Sequence, residues 1–212
     1  MNFEVIDNCF QILVLWCAAL TATGLSIRYR ERRFLILALA YACFSMGTLY
    51  WVLYLAILGM FPQIFYVAEI SWLAAYFFYL SLQVLRSEHL SIHFAPLPAL
   101  LGCLVAVAAV INNIFGPSPL MLALFAVTAG AIAYLSLFRL HHRLSFWQTD
   151  AVLFLCVVLQ VALYAVSSFF SDYTHFNLYF AVDITPVSYT HLKDRWRSVP
   201  RTRERGSENN YQ

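Results

Sequence analysis

Residues 61–86 read FPQIFYVAEISWLAAYFFYLSLQVLR, a tight turn followed by an apolar stretch long enough to be one membrane-spanning helix, with a single carboxylate, Glu69, near its start. Trp72, Tyr76, Tyr79 and Gln83 follow Glu69 at helical spacing, so one face is polar and aromatic while the rest is Ile, Leu, Ala and Phe. That face is expected to look inward. An ionised carboxylate in hydrocarbon costs at least a few kcal/mol, so Glu69 must pack against protein, open to a water-filled cavity or carry a proton.

The rest of the chain agrees with a membrane reading. Of 212 residues, 62% are hydrophobic, 17% aromatic and only 11% charged, outside the usual range of water-soluble domains. Apolar runs recur near 9–27, 34–58, 64–85, 95–114, 119–138 and 151–170, and a seventh starts near Phe176. Lipid cannot satisfy open backbone groups, and the runs lack the alternation of barrel strands, so helices are the expected solution. The fold class expected is all-α: a polytopic integral membrane helix bundle over residues 1–186, with six full transmembrane helices and a seventh, complete or truncated.

Charge sets the expected orientation. Arg28, Arg30, Arg32 and Arg33 follow the first run, Arg86 the third, and Arg139 and Arg143 the fifth, whereas FPQ, NNIFGPSP and SDYTH in the alternate connections hold no Lys or Arg. The positive-inside rule makes these arginines cytoplasmic anchors and puts the N-terminus outside, in a plasma membrane. The start of the chain, with two acids and no base, is not expected to be a cleaved signal peptide. After residue 186 the composition turns basic and polar, and 187–212 reads as a disordered cytoplasmic tail drawn to anionic lipid. Within it VSYTHL, Val187–Leu192, resembles a translated sequencing-adapter fragment, which would mean that the natural chain was cut inside its seventh span.

Chemistry concentrates at two acids. In the expected topology Glu69 and Asp183 lie at matched depth, roughly 8–10 Å below the outer surface. With Tyr66, Trp72, Tyr76 and Tyr164 they form a candidate lining for a cation, an amine or a shared proton; the plainer alternative is that both acids reach interfacial water. Polar stripes at Gln160, Tyr164, Ser167 or Ser168 and Ser171, and at Tyr41, Ser45 and Thr48, suggest interhelical hydrogen bonds. His89, His93, His141 and His142 lie in basic connections and read as a solvated headgroup surface. The five cysteines, Cys9, Cys17, Cys43, Cys103 and Cys156, have no metal-ligand spacing and read as small packing residues. No catalytic or cofactor motif is found, so no cofactor is expected and an enzyme is disfavoured. The partners expected are lipids, a small ligand or cation from the outer side and, as an option, a second copy of the chain; nucleic acid is not among them.

The layout, with its acid in the third span within FYVAEISWLAAYFFYL, resembles the seven-helix membrane input regions of bacterial sensor kinases and diguanylate cyclases. The resemblance covers the membrane region alone. It implies signal reception in the bundle and an output domain beyond the seventh helix, a segment this sequence does not contain. A sensory or ligand-binding module is therefore the leading expectation, with a small-solute or ion transporter and a membrane-embedded lipid enzyme as alternatives.

Overall fold

The computed structural model describes residues 3–59, 66–88, 94–112, 118–142, 147–167 and 180, and among these it is all-helical. Six helices follow in order: α1 Phe3–Tyr29, α2 Arg32–Leu58, α3 Tyr66–Ser87, α4 Pro96–Asn112, α5 Pro119–His141 and α6 Trp147–Ser167. Five are long and apolar enough to cross a membrane; α4, with 17 residues, is shorter. The FPQ turn, His89, His93, Arg143, Asp183, the seventh run apart from Phe180, and the tail lie outside the described residues, as do the side chains of Phe3, Tyr66, Trp147 and Ser167.

Local sequence explains the helix ends that are described. Ser118 is the N-cap of α5 and its hydroxyl accepts from the Met121 amide, with Pro119 occupying the first turn, where no amide hydrogen is needed. Gly59 closes α2 in the left-handed region, φ 65°, and its amide donates to the Leu55 carbonyl. The arginine-rich connection is shorter than its sequence suggests: α1 runs to Tyr29 and α2 starts at Arg32, so Arg30 turns the chain at φ 52°.

Side-chain pairs fix the helix directions. Glu4 meets Trp51 at one end of α1 and α2, and Tyr29 meets Phe34 at the other, so the two are antiparallel. Tyr76 and Gln83 of α3 meet Phe125 and Ser136 of α5 in the same order, but Gln160 and Asp150 of α6 in the reverse order. Thus α3 and α5 run parallel and α6 antiparallel to them. The packing chain is α1 on α2, α2 on α3, α3 on α5, and α5 with α4 and α6. Between α4 and α5 the backbones come close: a Cβ on Gly102 would lie 3.0 Å from the Gly130 carbonyl oxygen, so glycine is what the contact needs.

Polarity is inverted relative to a water-soluble bundle. Leu20, Ile27, Ile57 and Val127 are each more than 70% exposed, whereas Gln83, Ser45, Thr48, Thr128, Ser136 and Asp150 are among the most completely buried side chains. Water does not tolerate that much contiguous apolar surface, and lipid does. The central apolar cluster joins Leu73 and Tyr76 of α3, Ala109 of α4, Phe125, Ala129 and Ile132 of α5, and Leu153, Val157 and Val161 of α6.

Three expectations need correction. First, α1 starts at Phe3 instead of residue 9, which draws Glu4 and Asp7 into the bundle, 8% and 3% exposed. Second, α6 starts at Trp147 instead of residue 151 and so carries Asp150, 0% exposed, into the bundle. Third, Cys9, Cys17 and Cys103 are exposed on helix surfaces and fill no core, because thiols that small and apolar sit as easily in lipid as in protein.

Candidate functional site

One end of the bundle, formed by the N-termini of α1, α3 and α5 and the C-termini of α2, α4 and α6, carries Glu4, Asp7 and Glu69 and no Lys or Arg among the described residues. The opposite end carries Arg28, Arg30, Arg32, Arg33, Arg86 and Arg139. They are called here the acidic and the arginine end.

At the acidic end α3, α5 and α6 enclose a cleft of about 40 Å³, space for about two or three waters. From α3 come Glu69, Trp72 and Tyr76, from α5 Ser118 and Phe125, and from α6 Gln160 and Tyr164. The structure brings Glu69, Trp72, Tyr76 and Tyr164 around one space. Tyr66 starts α3 but its side chain is not among those described, and Asp183 lies outside them.

The cleft floor is tied together by hydrogen bonds and ring contacts. Tyr76 donates to Gln160 Oε1 at 3.2 Å, and Tyr164 also hydrogen-bonds Gln160. Phe125 stands edge-on to both tyrosines, at ring-centroid distances of 5.2 Å and 5.5 Å, an arrangement that places ring edges against ring faces. One wall is held from behind: the Trp72 indole donates weakly to Thr48 at 3.5 Å, and a Cβ on Gly47 would fall 2.7 Å from its nitrogen. Only glycine leaves room for that ring. Glu69 is partly buried, and its Oε2 is shielded from solvent without a hydrogen-bond partner among the described residues.

Beside this cleft lies a second acidic group that the sequence reading missed. Trp51 donates to Glu4 at 2.9 Å, Gln11 donates to Asp7 at 3.0 Å, and Trp51 stacks near Trp72 at 6.2 Å. A signal was present. Glu4, Asp7 and Gln11 continue as Leu15, Ala18 and Ala22, all buried, in one unbroken helical stripe.

The arginine end holds a buried ion cluster. Asp150, fully buried, accepts from Arg86 Nη1 at 2.7 Å and from Arg139 Nε at 3.2 Å, with Gln83 Nε2 also at 3.2 Å. Gln83 reaches Ser136 at 2.7 Å as well. Two guanidiniums share one carboxylate because Arg139 spends another donor on the Arg86 carbonyl, 2.7 Å away, one of the last-turn acceptors that α3 leaves open. Arg86 and Arg139, read from sequence as cytoplasmic basic anchors, turn inward and form half of this clasp, where charge-assisted hydrogen bonds to Asp150 hold them. Arg28, Arg30, Arg32 and Arg33 remain exposed, as do His141 and His142.

Of the polar stripes, Ser45 and Thr48 bond back to carbonyls of their own helix, while contacts between helices come from Gln160 and, weakly, from Thr48, which accepts from Trp72. Among the described residues no group of His, Cys, Asp or Glu is placed to hold a metal ion. No family model matches the chain, and neither curated proteins nor solved structures gave a match.

Proposed function

We propose that the chain is a multi-pass plasma-membrane protein, its six helices all spanning and its N-terminus outside, that receives a small cation of the ammonium class in the cleft between α3, α5 and α6. The observation that carries this reading is the Glu69 carboxylate, with one oxygen that has no hydrogen-bond partner among the described residues, on an aromatic-walled cleft. A carboxylate supplies charge, tyrosine and tryptophan faces attract cations, and the Gln160 and Ser118 oxygens can accept N–H bonds. Volume sets the upper limit. About 40 Å³ excludes ligands of the size that fill ordinary cofactor pockets, roughly 300 Å³ and above.

The confinement of described arginines to the opposite end supports an outward-facing cleft. A sensory module fits better than a transporter, because among the described residues Ile132, Val157 and Leu153, at 0%, 1% and 6% exposure, pack into the core that α3, α5 and α6 share with the cleft. The test is calorimetric titration of the protein in lipid nanodiscs with methylammonium, ammonium, sodium and potassium. Wild type is expected to bind methylammonium and Glu69→Gln to lose it; absence of binding of any of these cations to wild type refutes the reading. Reporter fusions after Arg33 and Arg86 should be cytoplasmic and those at Gln63 and Pro117 external.

A further inference from the structure

The cleft and the arginine clasp stand on the same three helices. On α3 the residues Glu69, Tyr76 and Gln83 recur every seventh position; on α5 Phe125, Ile132 and Arg139 do so, and on α6 Asp150, Val157 and Tyr164. A seven-residue step returns a helix to nearly the same face, so each helix presents one continuous seam. In every case one end of the seam lines the cleft or floors it, and the other joins the clasp. The span is fourteen residues in each helix, about 21 Å.

The middle of the seam is a packed apolar fulcrum. Ile132 and Val157 are buried to 0% and 1% exposure, with Leu153 and Leu80 beside them. Close-packed side chains resist compression and transmit strain, so a tilt of α3 relative to α6 at one end is carried across α5, on which both pack, to the other end with opposite sense. The clasp suits such a readout. Its bonds run from α6 to α3 and α5 and include a bidentate contact from Arg86, at 2.7 Å and 3.3 Å, that a small shift would break.

We propose that cleft occupancy and clasp geometry are coupled: drawing α3 and α6 together around a bound cation levers their arginine ends apart and loosens the Arg86–Asp150–Arg139 clasp. Coupling is reciprocal, so loosening the clasp must favour the closed cleft. The ligand half of this statement rests on the cation reading of the cleft; the mechanical half does not.

The experiment uses the full chain in nanodiscs, with Arg139→Lys as the mild clasp variant, Asp150→Asn as the severe one, and Val84→Ala, on the lipid-facing side of α3, as control. Methylammonium affinity is measured together with hydrogen exchange of the cleft peptides, 66–73 and 160–166, and the clasp peptides, 80–88 and 147–153. Coupling predicts that Arg139→Lys raises methylammonium affinity several-fold and slows exchange at the cleft, and that methylammonium speeds exchange at the clasp. If wild type binds but Arg139→Lys changes neither affinity nor cleft exchange relative to Val84→Ala, coupling is overturned and the cation reading stands. If wild type binds no methylammonium, the cation reading falls and exchange alone decides: slowed cleft exchange in Arg139→Lys upholds the lever, and unchanged exchange removes it. Should Asp150→Asn not fold, Arg139→Lys carries the whole comparison.

Discussion

At the arginine end one fully buried carboxylate, Asp150, is met by two guanidiniums and an amide. At the acidic end Glu4 and Asp7, almost as deeply buried, are met by an indole and an amide, and Glu69 has an oxygen with no partner among the described residues. The difference separates two uses of a buried acid. Charge met by charge holds helices in place, whereas the Glu69 oxygen, with no partner among the described residues, is open to a mobile counter-ion or a proton.

The largest expected effect breaks the balanced end. Asp150→Asn keeps the size of the side chain but leaves Arg86 and Arg139 buried without their counter-charge, and removing one partner of a buried ion group costs about 3–5 kcal/mol. Unfolding in mixed detergent micelles should show a loss in that range. A loss below about 1 kcal/mol would place the clasp in the class of exposed salt bridges and erase the contrast between the ends.

Next in size is Gly47→Ala, which acts on the acidic end alone. The added methyl would sit 2.7 Å from the Trp72 indole nitrogen, so the ring must move, at a cost of about 1–3 kcal/mol for overpacking. Methylammonium binding should weaken with it, since Trp72 forms a wall of the cleft. Unaltered binding with lowered stability would show that the wall position is immaterial to the ligand.

Glu69 itself should matter least to stability. Glu69→Leu removes a partly buried charge that no described base balances, so unfolding should stay within about 1 kcal/mol of wild type or improve, while cation binding disappears. A strong destabilisation would mean that Glu69, like Asp150, is part of the architecture.

These contrasts also explain what the sequence revealed. The helices and the cleft were legible because α3 displays Glu69, Trp72, Tyr76 and Gln83 on one face of an otherwise apolar segment, a pattern visible within a single helix. Tyr164 was legible as one member of a stripe on α6. Asp150 was not, because it sits at the edge of its apolar run, where an acid reads as an ordinary helix start beside water. Its meaning depends on Arg86 and Arg139, residues 64 and 11 positions away in sequence, and long-range pairing leaves no periodic trace. The same holds for Glu4 and Trp51: the stripe from Glu4 to Ala22 was readable, but the partner on α2 was not.

The smallest expected effect divides the arginine end itself. Arg30 turns the chain between α1 and α2 with φ 52°, a conformation that costs an ordinary L-residue about 1–2 kcal/mol and glycine almost nothing. Glycine gives back part of that gain through the greater freedom of the unfolded chain, so Arg30→Gly should stabilise by about 0.5 kcal/mol. The side chain is exposed and takes no part in the clasp, which belongs to α3, α5 and α6. Sites with no shared partner contribute additively, within about 0.3–0.5 kcal/mol. Combined with Asp150→Asn, the substitution should therefore add its small gain unchanged, and methylammonium affinity should match that of Asp150→Asn alone. Non-additivity well beyond that margin would tie the α1–α2 turn to the clasp and make the arginine end one cooperative unit, when the packing order makes it two: an exposed basic turn and a buried clasp that holds three helices.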